Sequence, residues 1–121
     1  MGEDSGIELV LKNISTSISE KHVTQNNLFN LEQNYPNPSS STTLIKYESL
    51  KPAKVKLSIY DLNGKKIMSI VDEKQSSGSY QFQWSGKSSD GTFVSSGSYI
   101  YTLSVTNQNE VVSESKTLIL K

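Results

Sequence analysis

From Leu28 onward, apolar and polar residues alternate in short runs. In "KVKLSIY", Val55, Leu57 and Ile59 share one face, and Lys54, Lys56 and Ser58 share the other. That period of two marks a strand buried on one side. The same period puts Tyr80, Phe82 and Trp84 on one face of "SYQFQW", and Tyr99, Tyr101, Leu103 and Val105 on one face of "SYIYTLSV". Residues 43–48, the run "KKIMSIV" and residues 111–120 add further candidate strands. Turn signals fall between them. Asn63-Gly64 predicts a type I′ hairpin turn, with positive φ at both residues. Gly78, Asp90-Gly91, Gly97 and the polar residues 107–109 mark the other breaks. No stretch of useful length carries a helical period. About seven short antiparallel strands, with turns roughly every eight to twelve residues, predict an all-β sandwich.

Ahead of this pattern the chain reads differently. Ile7, Leu9 and Leu11 alternate with Glu8, Val10 and Lys12, as in one short strand at the tail of a preceding domain. Residues 12–27, "KNISTSISEKHVTQNN", are polar and aperiodic and read as a linker. The expected division is therefore residues 1–27, the end of a preceding region plus linker, and residues 28–121, the folded domain. The domain opens on "NYPNPSSSTTLIKY". Pro36 and Pro38 lack an N–H and push Tyr35 and Asn37 into extended geometry. The stretch is thus a stiff corner that leads into the strand at Leu44.

Composition narrows the function classes. The chain has 121 residues, twelve lysines against twelve acids, no arginine and no cysteine. Disulfides and cysteine-ligated zinc are excluded. A balanced charge without arginine forks argues against nucleic-acid partners. The apolar runs are too short to span a membrane as helices. The lone histidine, His22, falls in the linker, where no rigid scaffold positions it for a catalytic triad. Asp61, Asp72, Glu73 and Asp90 sit at or near turns, as Asp favours, and no D-x-D-x-D loop is present. The expectation is no enzyme, no metal and no cofactor. Asn13-Ile14-Ser15 matches a glycosylation sequon, a signal too common to use alone.

Three features leave alternatives open. The aromatic row Tyr80, Phe82, Trp84 is a sugar-stacking platform if outward and core if inward; its polar neighbours Gln81, Gln83 and Ser85 favour core. Lysines 46, 51, 54, 56, 65 and 66 crowd one region of sequence. They could bind an anionic surface, or simply keep a sheet face solvated and its edges blunt. The end "SKTLILK" is apolar up to Lys121, as in a last strand pinned to its sheet or a recognition strand with a free carboxylate.

Taken together, "LEQNYPNPSSSTTLIKY", "VKLSIYDLNGKKI", "GSYQFQWSGKSSDGTFVSSGSYIYTLSV" and "KTLILK" resemble the type A C-terminal sorting domains of the type IX (Por) secretion system. The middle also resembles the immunoglobulin-like domain of flagellar hook-capping proteins, through Trp84, Gly86, Gly91, Val94, Ser96, Gly97 and Tyr99. The resemblance covers residues 28–121. It differs in one place: Ser39 stands where many relatives carry an apolar residue. The resemblance implies an immunoglobulin-like β-sandwich that directs an attached N-terminal cargo from the periplasm across the outer membrane of a Gram-negative bacterium. Its implied partners are translocon proteins and a surface sortase-like peptidase that cuts within residues 12–30. Cargo would then be released, or joined to anionic lipopolysaccharide at the cell surface. The implied signal residues are Tyr35, Pro36, Asn37, Pro38, Asp61, Gly64, Gly97, Tyr99, Lys116, Leu118, Ile119, Leu120 and Lys121. Two other classes compete, a carbohydrate-binding module and a structural immunoglobulin-like spacer.

Overall fold

A computed structural model describes residues 27–121. The strand at residues 7–11, His22, the sequon and nearly all of the linker lie outside the described residues. Seven strands follow one another: β1 (Phe29–Leu31), β2 (Thr43–Ser49), β3 (Ala53–Asp61), β4 (Lys66–Gln75), β5 (Gly78–Trp84), β6 (Gly97–Asn107) and β7 (Glu110–Leu120). They build two antiparallel sheets, β1-β2-β5 and β4-β3-β6-β7. No helix occurs among the described residues.

The core lies between the sheets and follows the alternation. Val55, Leu57 and Ile59 on β3 are buried, as are Tyr99, Tyr101, Leu103 and Val105 on β6. From the smaller sheet, Ile45, Tyr47 and Trp84 close over them. Each buried aliphatic side chain contributes about 1.5–3 kcal/mol to the sandwich.

Four local expectations change. β1 has only three residues, too few to show a period, yet its Phe29 and Leu31 are buried beside Leu28. At the β3–β4 hairpin, Gly64 has φ +87°, whereas Gln108 is the only non-glycine residue with positive φ among the described ones. Asn63 therefore does not adopt a type I′ conformation. The loop is instead a turn closed by Gly64 N–H to Asp61 C=O (3.0 Å), followed by the left-handed glycine. The Asp61 carboxylate fixes that choice by accepting from the N–H groups of Asn63 and Lys65, each at 2.9 Å. Ser58, expected outward, is buried. It sits between Ser69 and Thr102, next to a bulge where the β3–β4 register skips Ile70. In the aromatic row, Trp84 is buried but Tyr80 and Phe82 are half-buried, because β5 is an edge strand. The row does face the core, and Tyr47 stacks on Tyr80 and Phe82 with centroids at 5.4 and 6.1 Å.

A candidate recognition site at one end of the sandwich

The proline corner is organised by Asn34, which is buried. Its side-chain amide donates to Thr43 Oγ1 (2.8 Å) and to the Pro36 carbonyl (3.3 Å), and Thr43 Oγ1 donates to the same carbonyl (2.9 Å). Its backbone N–H donates to the Tyr101 hydroxyl (2.8 Å), which in turn donates to the Glu32 carbonyl (2.7 Å). One buried phenol thus ties the corner to the centre of the larger sheet. Burial pushes the Tyr101 hydroxyl up to about 12, so it stays a donor across the neutral range. Tyr35 exchanges two backbone bonds with Leu44, and its ring stands 77% exposed. The Tyr35-Pro36 and Asn37-Pro38 peptides are both cis.

The corner then grips the last strand. β7 is an edge, so the outer backbone groups near its end need partners. Asn37 Oδ1 accepts from Ile119 N–H (2.9 Å), across 82 residues of sequence. Ser39 N–H donates to the Ile119 carbonyl, and Lys121 N–H donates to the Ser39 carbonyl, each at 2.8 Å. Gln33 Nε2 donates to the Thr117 carbonyl (2.8 Å). Ser39 itself is fully buried, and its hydroxyl donates to the Thr42 carbonyl (2.9 Å). This buried polar residue is therefore satisfied within the corner.

The loop after β5 packs against the same tail. Trp84 meets Tyr99 edge-on at 5.8 Å, and its indole N–H donates to the Lys87 carbonyl (2.8 Å). Val94 N–H donates to the Gly86 carbonyl (2.9 Å), and the Tyr99 hydroxyl donates to Ser95 C=O (2.6 Å). A side chain at Gly86, which has φ +81°, would meet Leu120. Within the loop, Asp90 accepts from the Thr92 N–H and hydroxyl and from the Ser88 hydroxyl. Those bonds, Ser88 first, hold its carboxyl down at about 2. Between this loop, residues 40–42 and Leu120-Lys121 runs a groove of about 400 Å³, rimmed by Phe93.

Strand register gathers the signal candidates. Asp61 pairs with Tyr99 and Tyr99 with Leu118, while Gly97 pairs with Leu120. The corner (Tyr35 to Pro38), the Asp61–Gly64 turn, Gly97, Tyr99 and the tail Leu118 to Lys121 therefore share one end of the sandwich. Leu118 and Leu120 are buried anchors; Ile119 faces out. Lys116 lies two residues inward, pairs with Tyr101 in register and sits 3.4 Å from Glu114. Four of the large apolar side chains left exposed are at this end: Tyr35, Leu62, Phe93 and Ile119. The lysine cluster does not survive folding as one patch. Lys46 lies on the smaller sheet, Lys54 and Lys56 on the larger, and Lys51 in the β2–β3 connection at the opposite end. Sequence reading passed over Gln33, Asn34, Thr43 and the Tyr101 hydroxyl. Asn34 alone had a visible cue, a polar residue wedged between Leu31 and the prolines.

This geometry defines an immunoglobulin-like β-sandwich whose last strand is held by its first corner. Residues 38–110 match the FlgD Ig-like domain family, and the chain belongs to that family. No curated protein matches the chain. Among solved structures it is similar to dimeric latent PorU from Porphyromonas gingivalis, with TM-score 0.63 and 20% identity over 76% of this chain and 9% of that one. It is also similar to FlgD from P. aeruginosa, with TM-score 0.51 and 24% identity over 64% of this chain and 61% of that one. PorZ of Porphyromonas gingivalis, described as an essential bacterial surface component of its type-IX secretion system, aligns with TM-score 0.49 at 20% identity, over 74% of this chain and 11% of that one. At such identities the likeness is one of fold. The chain spans less than two thirds of each of these proteins.

Proposed function

We propose that this domain is a non-enzymatic sorting module, read at its latched end by outer-membrane translocon proteins of the type IX system. In this reading an attached N-terminal cargo is carried to the cell surface or medium. A surface peptidase then removes the domain within residues 12–30, with cargo released or joined to anionic lipopolysaccharide. The observation that carries the reading is the convergence at one end. Motifs scattered from Tyr35 to Lys121 meet there, beside the exposed Tyr35, Leu62, Phe93 and Ile119. Exposed apolar groups around a rigid, prepaid backbone are what a protein partner uses for affinity. The order of sequence motifs points to the type IX system.

Family membership favours one second reading, a structural immunoglobulin-like spacer of the kind found in FlgD. The two readings separate in a host that has type IX secretion. A fluorescent protein fused to residues 12–121 should reach the surface or medium. The double variant Tyr35→Ser/Phe93→Ser changes only exposed side chains, so it should fold equally well yet hold the fusion in the periplasm. Retention of the unaltered fusion supports the spacer. Normal export of the folded double variant removes the latched end from the reading.

A further inference from the structure

A sandwich has four edge strands, and three of these are blunted. β1 is three residues long. β4 is bulged twice where its register skips Ile67 and Ile70, carries Lys66, Asp72, Glu73 and Lys74, and has its start covered by Ser89 N–H on the Ile67 carbonyl. β7 is gripped at its end by Asn37 and Ser39, and it carries Glu114 and Lys116 on the side whose buried members are Leu118 and Leu120. Charges, bulges and cover are the ordinary defences of an edge. β5 has none of them. "GSYQFQW" is uncharged and proline-free, and pairs with β2 in an unbroken register of seven residues.

The backbone groups left over on β5 can be assigned. Glu32 N–H donates to the Lys46 carbonyl, and Leu44 exchanges two bonds with Tyr35, so Leu44 and Lys46 turn away from β5. Ile45 and Tyr47 then turn towards it and bond Phe82 and Tyr80. The N–H and C=O groups of Ser79, Gln81 and Gln83 consequently point off the free edge, where no described strand pairs with them.

We infer that this edge is a self-association site, on which β5 of a second copy pairs antiparallel about a two-fold axis through Gln81. The parity of the free groups dictates that register. Gln81 bonds Gln81 of the second copy, Ser79 bonds Gln83, and the free groups of these three residues are satisfied. The half-buried aromatics then fall into the close, non-hydrogen-bonded pairs, Tyr80 opposite Phe82, extending the stack on Tyr47. An uncharged strand meets itself without like-charge contact. The result is a continuous six-stranded sheet of closed symmetry. One strand pair buries less than the roughly 800 Å² per partner of a standard interface, so the dimer is weak and reversible.

Sedimentation velocity on the full 121-residue chain, at rising concentration, tests this. A monomer–dimer equilibrium is expected, and Gln81→Lys should abolish it by placing two ammonium groups on the axis. Gln81 is exposed, so that variant should unfold at the wild-type temperature. The chain has no cysteine, so Gln81→Cys reports register directly: it should form a disulfide dimer under mild oxidation, while Lys46→Cys, one strand inward, should not. A wild type that stays monomeric to about 1 mM, a dimer indifferent to Gln81→Lys, or equal cross-linking of the two cysteine variants would each overturn the inference. Capture of some other strand by β5, with no dimer, counts against it too.

Discussion

The two ends of the sandwich are closed by different means. At one end, side chains reach across the sequence to bond backbone: Asn37 to Ile119 over 82 residues, Gln33 to Thr117 over 84, and Tyr101 to Asn34 over 67. At the other, the closures are mostly short. Ser49 bonds the Lys51 carbonyl, Tyr80 bonds the Ser76 carbonyl, and Gln108-Asn109 turns β6 into β7. The longest reach there is Asn107 to the Pro52 carbonyl, over 55 residues, with Tyr47 to the Gln75 side chain over 28. Local turns suffice to close a hairpin. The long-range bonds do more: they order a corner and a strand end that would otherwise fray. A partner binding the latched end meets groups already fixed, which lowers its cost of ordering them.

Within β7 itself the contrast can be broken directly, and this gives the largest effect. Leu118 is fully buried under the latch, whereas Val111, at the start of the same strand, is 63% exposed. Leu118→Ala should cost about 2–5 kcal/mol in urea unfolding, through lost transfer energy and the cavity it leaves. Val111→Ala should stay within about 0.5 kcal/mol. Equal costs would mean that the strand is held by its pairing with β6 along its whole length, and that the latch adds nothing.

How much of this was legible beforehand differs between the same two ends. Alternation in β3 and β6 identified the core residues Val55, Leu57, Ile59, Tyr101, Leu103 and Val105, because a period of two is a local property of the chain. The turn at Gly64 was placed correctly, but its type was not, since Asp61 decides it from outside the dipeptide. β1 escaped because three residues hold no period. Nor could sequence alone show that Asn34 would bury its amide against Thr43, or that Asn37 would pair with Ile119. Those bonds depend on tertiary packing between segments 9 and 82 residues apart. Grouping lysines by their closeness in sequence failed for the same reason, because β2 and β3 belong to different sheets.

A sharper comparison uses two buried phenols, one towards each end. Tyr101 anchors the corner; Tyr47 donates to the Gln75 side chain near the turn into β5. Burial, ahead of every other cause, raises both to about 12 from the usual 10. The folded protein therefore holds these protons more tightly than the unfolded chain. The stability they confer is complete below pH 10 and is lost as pH climbs through 10 towards 12. A two-unit gap corresponds to about 3 kcal/mol for each residue. Urea titrations from pH 8 to 12 should show a plateau and then a steep fall. Tyr101→Phe and Tyr47→Phe should each remove about half of that fall. At pH 7 Tyr101→Phe should cost about 1–3 kcal/mol, because it leaves the buried Asn34 N–H without a partner. A fall unchanged in both variants would assign the alkaline loss to other groups.

The smallest effect belongs to the local end. The β6–β7 hairpin turns through two residues, and its first, Gln108, has φ +56°. A side chain there crowds its own backbone by about 1–2 kcal/mol, a cost that glycine does not carry. Glycine is the residue this position of a tight hairpin favours. Gln108→Gly should therefore raise stability by about 1 kcal/mol, less a few tenths for the added freedom of the unfolded chain. Because the turn lies opposite the latch, the gain should leave amide hydrogen exchange at Ile119 and Lys121 unchanged relative to global unfolding, and slow exchange near Asn107 and Glu110. If protection rose equally at both ends, the two closures would be one cooperative unit rather than two, and the contrast between them would be architectural but not energetic.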